Sequence, residues 1–240
     1  MEHQRPDKIA ILTPFKIRHR YFVKILLSRN VKIECIVIPQ TDHNLFHKIK
    51  LFFSISNFLD LLITFYELFS VGTLKTIKLK IIKVDNYMEI LKPELTSLNN
   101  IDVFLIYGGP VIPNKVLSNK KSVFINVHGA LLPGYRGLDS HWWMFLERKT
   151  SFQGYAIHLV DSGIDSGGIL KTRKFDSKVL SLTRILSWRL WIAKNSAKDI
   201  SIILKNRSFN NFFVHDLNSS VYKSKFSLKN IFRTYLIRKT

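Results

Sequence analysis

The sequence predicts an α/β fold in which a mostly parallel sheet is covered on both faces by helices. Short apolar runs alternate with helical stretches through the first half of the chain. Several of those runs are apolar at nearly every position, the pattern of strands buried on both faces. Hydrophobic residues make up 46% of the 240, enough for a sizeable core and too many for a disordered chain.

Residues 8–13 read as a short strand, 21–28 as a helix, and 31–38 as a strand closed by Pro39. Residues 51–74 have the length of a membrane span, but Asn57, Asp60, Thr64 and Glu67 recur at steps of three and four. That spacing makes one polar stripe on an amphipathic helix, and an Asp at the centre of a span costs about 2.5–3.5 kcal/mol. Lys48 and Lys50 precede the helix, and Lys75, Lys78 and Lys80 follow it. Its broad apolar face suits the protein's own core or an anionic membrane surface. Residues 81–84 read as a strand, 87–98 as helix broken near Pro93, 103–107 as a strong strand, 112–117 as a short helix and 122–127 as a strand.

A helix is expected over 139–149, with Asp139 or Ser140 as N-cap. Of its Trp142-Trp143 pair, one is expected in the core and the other on a pocket wall. Strands follow at 155–160 and 169–174. In the long helix over 181–204, Leu182, Ile185, Leu186, Trp188, Ile192 and Ala193 recur at helical spacing, which is a core stripe. The tail from Asn206 is rich in Asn, Ser, Lys and Phe and shows no strand pattern. The expected division is a catalytic domain over 1–205 and a basic C-terminal extension over 206–240, packed on the core or trailing from it.

Thirty-seven Lys and Arg against 17 Asp and Glu give a net charge of +20. Such a field attracts polyanions, anionic lipid or small anionic substrates without choosing among them. The basic residues are spread along the chain, so a solvated basic surface also accounts for them. The single Cys35 excludes an intrachain disulfide and a multi-thiolate zinc site, and its apolar surroundings mark it as a core residue. The polar N-terminus and a first apolar run too short for a signal core predict a cytoplasmic protein.

Two fragments carry chemistry. Asn126 and His128 stand two apart after the apolar run Val123-Phe124-Ile125, so on a strand they share a face. Gly129-Ala130-Leu131-Leu132-Pro133-Gly134-Tyr135-Arg136-Gly137 follows as a loop able to cover them. The second fragment, Asp161 to Gly168, offers a carboxylate and two glycines that permit close backbone approach. An amide donates to an oxyanion, an imidazole moves a proton near neutral pH, and a carboxylate orients and charges the imidazole. The set suits acyl transfer to an amine. By residue type and spacing alone, a histidine at a strand end is more often a satisfied structural residue.

Taken together, Asn-Val-His with Leu-Leu-Pro-Gly-Tyr-Arg-Gly, and Ile-His-Leu-Val-Asp-Ser-Gly-Ile-Asp-Ser-Gly, resemble the folate-dependent formyltransferases. The resemblance covers residues 102–170 and weakens over those before them. It implies a three-layer Rossmann-like formyltransferase fold with a mostly parallel central sheet. It places the catalytic residues on Asn126, His128 and Asp165, and a pterin-binding segment on Gly109, Pro110, Val111 and Ile112. The loop Asp161 to Asp165 forms the other pocket wall, with Asp161 counted among the cofactor-binding residues. His158 matches a recurrent position, for which a structural role is expected. The implied donor is 10-formyltetrahydrofolate, with no metal, and the acceptor is a primary amine. Ala130 stands where the family usually has Ser, and Gly129 where Pro or Ala is common.

The segment after the first strand, Thr13 to Arg20, lacks the Gly- and Ser-rich phosphate loop of the glycinamide ribonucleotide enzymes. The chain offers too few residues after Leu170 for the added barrel of the methionyl-tRNA enzymes, and no N-terminal regulatory domain such as the related deformylases carry. The expected acceptor is therefore a nucleotide-linked amino sugar of surface polysaccharide, lipopolysaccharide included, whose diphosphate suits a basic cleft. Residues 51–74 would allow peripheral contact with the inner membrane face. The rival from another class is a catalytically degenerate protein using its basic surface on RNA or anionic membrane.

Overall fold

A computed structural model describes residues 7–40, 55–71, 77–176, 182–217 and 220–223. Residues 51–54 and 72–74 of the expected amphipathic helix, and residue 181 of the long helix, lie outside those described.

The apolar runs form the strands expected of them. β1 (Ile9–Leu12), β2 (Ile33–Pro39), β3 (Lys80–Val84), β4 (Val103–Tyr107) and β5 (Val123–His128) pair in parallel. Every residue of β1 and β4 is buried, as the two-faced apolar pattern requires. β6 (Tyr135–Gly137) and β9 (Val221–Lys223) stand apart as a two-stranded parallel pair. β7 (Gly154–Leu159) and β8 (Ile169–Lys174) extend the main sheet, giving the order β3-β2-β1-β4-β5-β7-β8. Both of these last pairings are antiparallel. The connection over residues 129–153 holds β6 and a short helix and brings the chain back against β5 in the opposite direction.

α1 (Ile17–Ser28), α2 (Ile55–Val71) and α5 (Leu182–Asn206) pack together on one face of the sheet. The core there holds Phe22, Leu26, Leu105, Ile125, Trp188 and Ala197. α3 (Asn114–Asn119) and two 3-10 turns cover the other face over Leu12, Val37, Phe104 and Phe124. The turns, Tyr87–Leu91 and Thr96–Leu98, replace the broken helix expected over 87–98. Pro93 holds Lys92 extended (ψ 127°) and stops the first turn. Pro113 likewise sets the start of α3, two residues later than expected.

Three expectations are corrected. Trp142 and Trp143, on α4 (Ser140–Glu147), both enter the core. The tail does form a strand, β9, too short for its sequence pattern to register. The polar stripe of α2 is split: Glu67 is buried and Thr64 exposed, while Leu62, Phe65, Leu68 and Phe69 are also exposed, Phe69 by 86%. The cause lies beneath Glu67, whose carboxylate stands 3.5 Å from Arg189 and 3.9 Å from Arg18. The side chains of Asn57 and Asp60 are not among those described. Among the described residues no helix is long and apolar enough to cross a membrane.

Candidate active site

β5 carries Phe124, Asn126 and His128 on one face by strand alternation, and the two polar residues come at the end where ligands meet parallel sheets. The backbone then doubles back through β6. There the carbonyl of Tyr135 accepts a hydrogen bond from His128 Nε2–H at 2.7 Å. A carbonyl can only accept, so the Nε2 proton is fixed and Nδ1 is left for the carboxylate. Ser140 Oγ lies 3.4 Å from the same Nε2.

Asp165 joins these groups. Its Oδ2 is 3.3 Å from His128 Nδ1 and accepts the Gly137 N–H at 2.8 Å. Its Oδ1 accepts from Asn126 Nδ2 at 3.3 Å and lies 3.3 Å from His158 Nε2. The residue adopts a left-handed backbone (φ 49°), a conformation that Asp tolerates better than most residues and that aims its carboxylate back across β5. His158 sits directly across the β5–β7 ladder from Asn126. Its Nδ1–H donates to Leu159 O, leaving Nε2 to accept from Asn126 Nδ2 at 3.1 Å. So the position expected to be structural belongs to the polar cluster. The cross-strand pairing that brings it there requires knowing that β7 is antiparallel. Ser140 was also missed, visible in the sequence only as a helix-start residue.

The electrostatics divide clearly. Burial alone would raise the Asp165 carboxyl, but His128 and His158, when they carry a proton toward it, and the Gly137 N–H outweigh it and hold it well below the usual carboxylate range. Burial pushes the His128 imidazole down, with Asp165 opposing. These two directions pull against each other over one contact. Deep burial of the ring decides it: Asp165 is ionised and His128 neutral at neutral pH. A proton arriving on Nδ1 would meet a carboxylate already in place.

The cluster opens on a cleft of about 940 Å³ reaching from β5 across β4 and β1. Gly109, Pro110, Val111 and Ile112 line it as the chain leaves β4. A Cβ on Gly109 would lie 2.8 Å from Tyr87 Oη, and one on Gly108 2.8 Å from His19 Nε2, so both side chains fill the space that glycine leaves. Asp161 does not line the cleft. Its carboxylate accepts from Ser166 Oγ and Gly163 N instead, shaping the loop that presents Asp165. Gly129 lines the cleft, whereas Ala130 is buried in the core.

Part of the cleft lining is basic. Lys16, Arg18, His19, His141 and Arg189 belong to it. Lys16 N–H donates to His19 Nδ1 at 3.1 Å, which places the His19 proton on Nε2. Neither that atom nor His141 Nε2 has a partner, although both rings are buried. Among the described residues no group of three or more His, Cys, Asp or Glu is placed to hold a metal ion.

An amide, an imidazole and a carboxylate joined at the strand ends of a layered α/β sheet are a set chemically suited to group transfer. Residues 83–179 match the model of the formyl transferase family. A methionyl-tRNA formyltransferase from Nostoc sp. is 33% identical over 88 residues, covering 34% of this chain but only 25% of that protein. A sugar N-formyltransferase from a Shewanella species superposes with a TM-score of 0.60 at 15% identity, over 91% of this chain and 76% of that one. The N-formyltransferase of Helicobacter canadensis, solved with folinic acid and dTDP-3-aminofucose, gives 0.60 at 19% identity, over 91% and 71%. At these identities the structural likeness is one of fold.

Proposed function

We propose that the protein is a folate-dependent N-formyltransferase, carrying a formyl group from 10-formyltetrahydrofolate to a primary amine. The observation that carries this reading is the convergence of Asn126 and His128 on Asp165 at the cleft. It falls inside the segment that matches the family. In this mechanism the amine nitrogen attacks the formyl carbon, and the carbonyl electrons move onto oxygen. Asn126 gives up its long hydrogen bond to Asp165 and donates to that oxyanion. Neutral His128 takes the proton the amine sheds, and Asp165 stabilises the imidazolium. The tetrahedral centre then collapses: its bond to folate N10 breaks, and His128 returns the proton to N10. Gly109, Pro110, Val111 and Ile112 form the wall for the pterin.

The acceptor we assign is a nucleotide-linked amino sugar. The basic part of the cleft lining, with the unpartnered His19 and His141 donors, suits a diphosphate. Incubation with 10-formyltetrahydrofolate and pooled amino-sugar nucleotides, followed by absorbance, is expected to release tetrahydrofolate. Replacing the pool with initiator methionyl-tRNA or glycinamide ribonucleotide tests the other acceptors. Asn126→Ala and His128→Ala are each expected to lower kcat about 10²–10³-fold, and near-normal turnover in either would refute the assignment. Absence of any folate binding would favour the degenerate basic binding protein.

One observation supports a second property, peripheral contact with anionic membrane through α2. Its outward side chains include Leu62, Phe65, Leu68 and Phe69, on a chain of net charge +20.

A further inference from the structure

β6 reaches both members of the proton-moving pair through its backbone. Tyr135 O holds His128 Nε2 at 2.7 Å, and Gly137 N–H holds Asp165 Oδ2 at 2.8 Å. Three residues cannot hold such a geometry alone. β6 lies outside the main sheet, and its strand partner among the described residues is β9. Tyr135, Arg136 and Gly137 register with Val221, Tyr222 and Lys223. Val221 N–H donates to Gly134 O at 3.3 Å, and Leu138 N–H to Lys223 O at 3.0 Å. The fit is tight at Gly137 (φ 94°), where a Cβ would stand 2.1 Å from Lys223 O.

Side chains fasten the same junction. The Lys223 ammonium pairs with one oxygen of Glu147, and the other accepts the Tyr135 hydroxyl. Lys223 Nζ also lies 4.9 Å above the Trp143 ring and 5.6 Å above that of Tyr135. The pair is largely removed from water, with side-chain exposures of 15% and 22%. Burial first, then Glu147, pushes the Tyr135 phenol up, so it remains a donor. The clamp therefore joins α4, β6 and the C-terminal extension where β6 grips His128 and Asp165.

We propose that Lys223 and Glu147 are positioning residues for formyl transfer: through Tyr135 and β6 they set the spacing of His128 and Asp165. The inference rests on the proposed formyl transfer. It also makes the extension past residue 205 part of the catalytic unit rather than an appendage.

The test uses the full chain and two independent readouts. Lys223→Met and Glu147→Gln are each expected to lower kcat about 10- to 100-fold, the size of effect small misplacements produce. The KM for 10-formyltetrahydrofolate should change little. Lys223→Arg should recover most of the turnover, and the two losses should not add in the double variant. The second readout is the ring nitrogen resonances of His128 in the unliganded protein, whose titration midpoint should move in Lys223→Met and return in Lys223→Arg. This needs no activity, so it stands even if the wild-type protein transfers no formyl group and the functional reading fails. Unchanged His128 resonances, or wild-type kcat in a folded Lys223→Met protein, would overturn the proposal. If Lys223→Met does not fold, Tyr135→Phe removes the hydroxyl arm alone, and the same criteria apply to it.

Discussion

The two walls of the cleft are built on opposite terms. On the β5 wall, Asn126, His128, His158 and Asp165 bond one another and the backbone of β6 and β7. On the wall formed by α1, the start of α4 and the turn after β3, His19 Nε2, Tyr87 Oη and His141 Nε2 have no partner. A buried donor left unmade costs about 1–3 kcal/mol, so such groups persist where a ligand can satisfy them. The first wall is organised before substrate arrives, as stabilisation of developing charge requires. Under the proposed function, the second is completed by its ligand. Their titrations differ in the same way. Asp165 is held low by partners that outweigh its burial. His19 and His141 are pushed down by burial first and by Arg18 next, His141 to about 3.

Removing the charge that joins the first wall should have the largest effect. Asp165→Asn keeps the shape but leaves a proton on His128 Nδ1 unstabilised, and kcat is expected to fall about 10²–10³-fold. Stopped assays on a folded variant check this; turnover within a few-fold of wild type would break the contrast between the walls.

The pH dependence of stability should separate them next. A buried imidazole whose folded pKa lies below its unfolded value near 6.5 binds fewer protons folded than unfolded. Stability is then lost as pH falls below about 6.5. His19, His128 and His141 all act in that direction, and for His141 the loss extends to about pH 3. Asp165 acts in a lower window. Its depressed folded value contributes stability above the unfolded pKa of about 3.9, lost as pH falls through the folded one. Melting temperatures across this range should drop in two stages, with His141→Leu easing the first and Asp165→Asn the second. A flat profile from pH 8 to 4.5 would contradict the neutral buried imidazoles.

A smaller effect is expected on the second wall. His19→Leu and His141→Leu should raise the KM for the acceptor about 10- to 100-fold, the loss of one hydrogen bond to a charged group, with the donor KM unchanged. Equal changes in both KM values would mean that these residues do not mark an acceptor end.

How far the sequence reached follows the same division. β1, β4 and β5 were legible because a strand buried on both faces is apolar throughout, and Asn126 and His128 because two polar residues interrupt such a run at its end. Asp165 needed the resemblance, since nothing local separates it from Asp161, which turned out to shape its own loop. His158 and β9 were not legible. The first depends on β7 running antiparallel to β5, and the second on a three-residue pairing across more than eighty residues of chain. Neither leaves a periodic trace. On α2, periodicity does not say which face meets the protein: of the expected stripe, Glu67 is buried and Thr64 exposed.

That face gives the smallest predicted effect on catalysis. Helices on globular proteins normally turn their apolar side inward, yet α2 puts Glu67 inside against Arg189 and Arg18, basic residues that also line the cleft. Rolling the helix to hide Leu62, Phe65, Leu68 and Phe69 would carry Glu67 away from both arginines and leave buried charge uncompensated, so the ion pairs hold the apolar face outward. Phe65→Ser combined with Phe69→Ser should therefore leave turnover on dissolved substrates unchanged. The wild-type protein should sediment with phosphatidylglycerol vesicles, the double variant less, and neither with neutral phosphatidylcholine vesicles. Wild-type protein that stays in the supernatant with both vesicle types would sink the membrane reading while leaving the two walls of the cleft as they are.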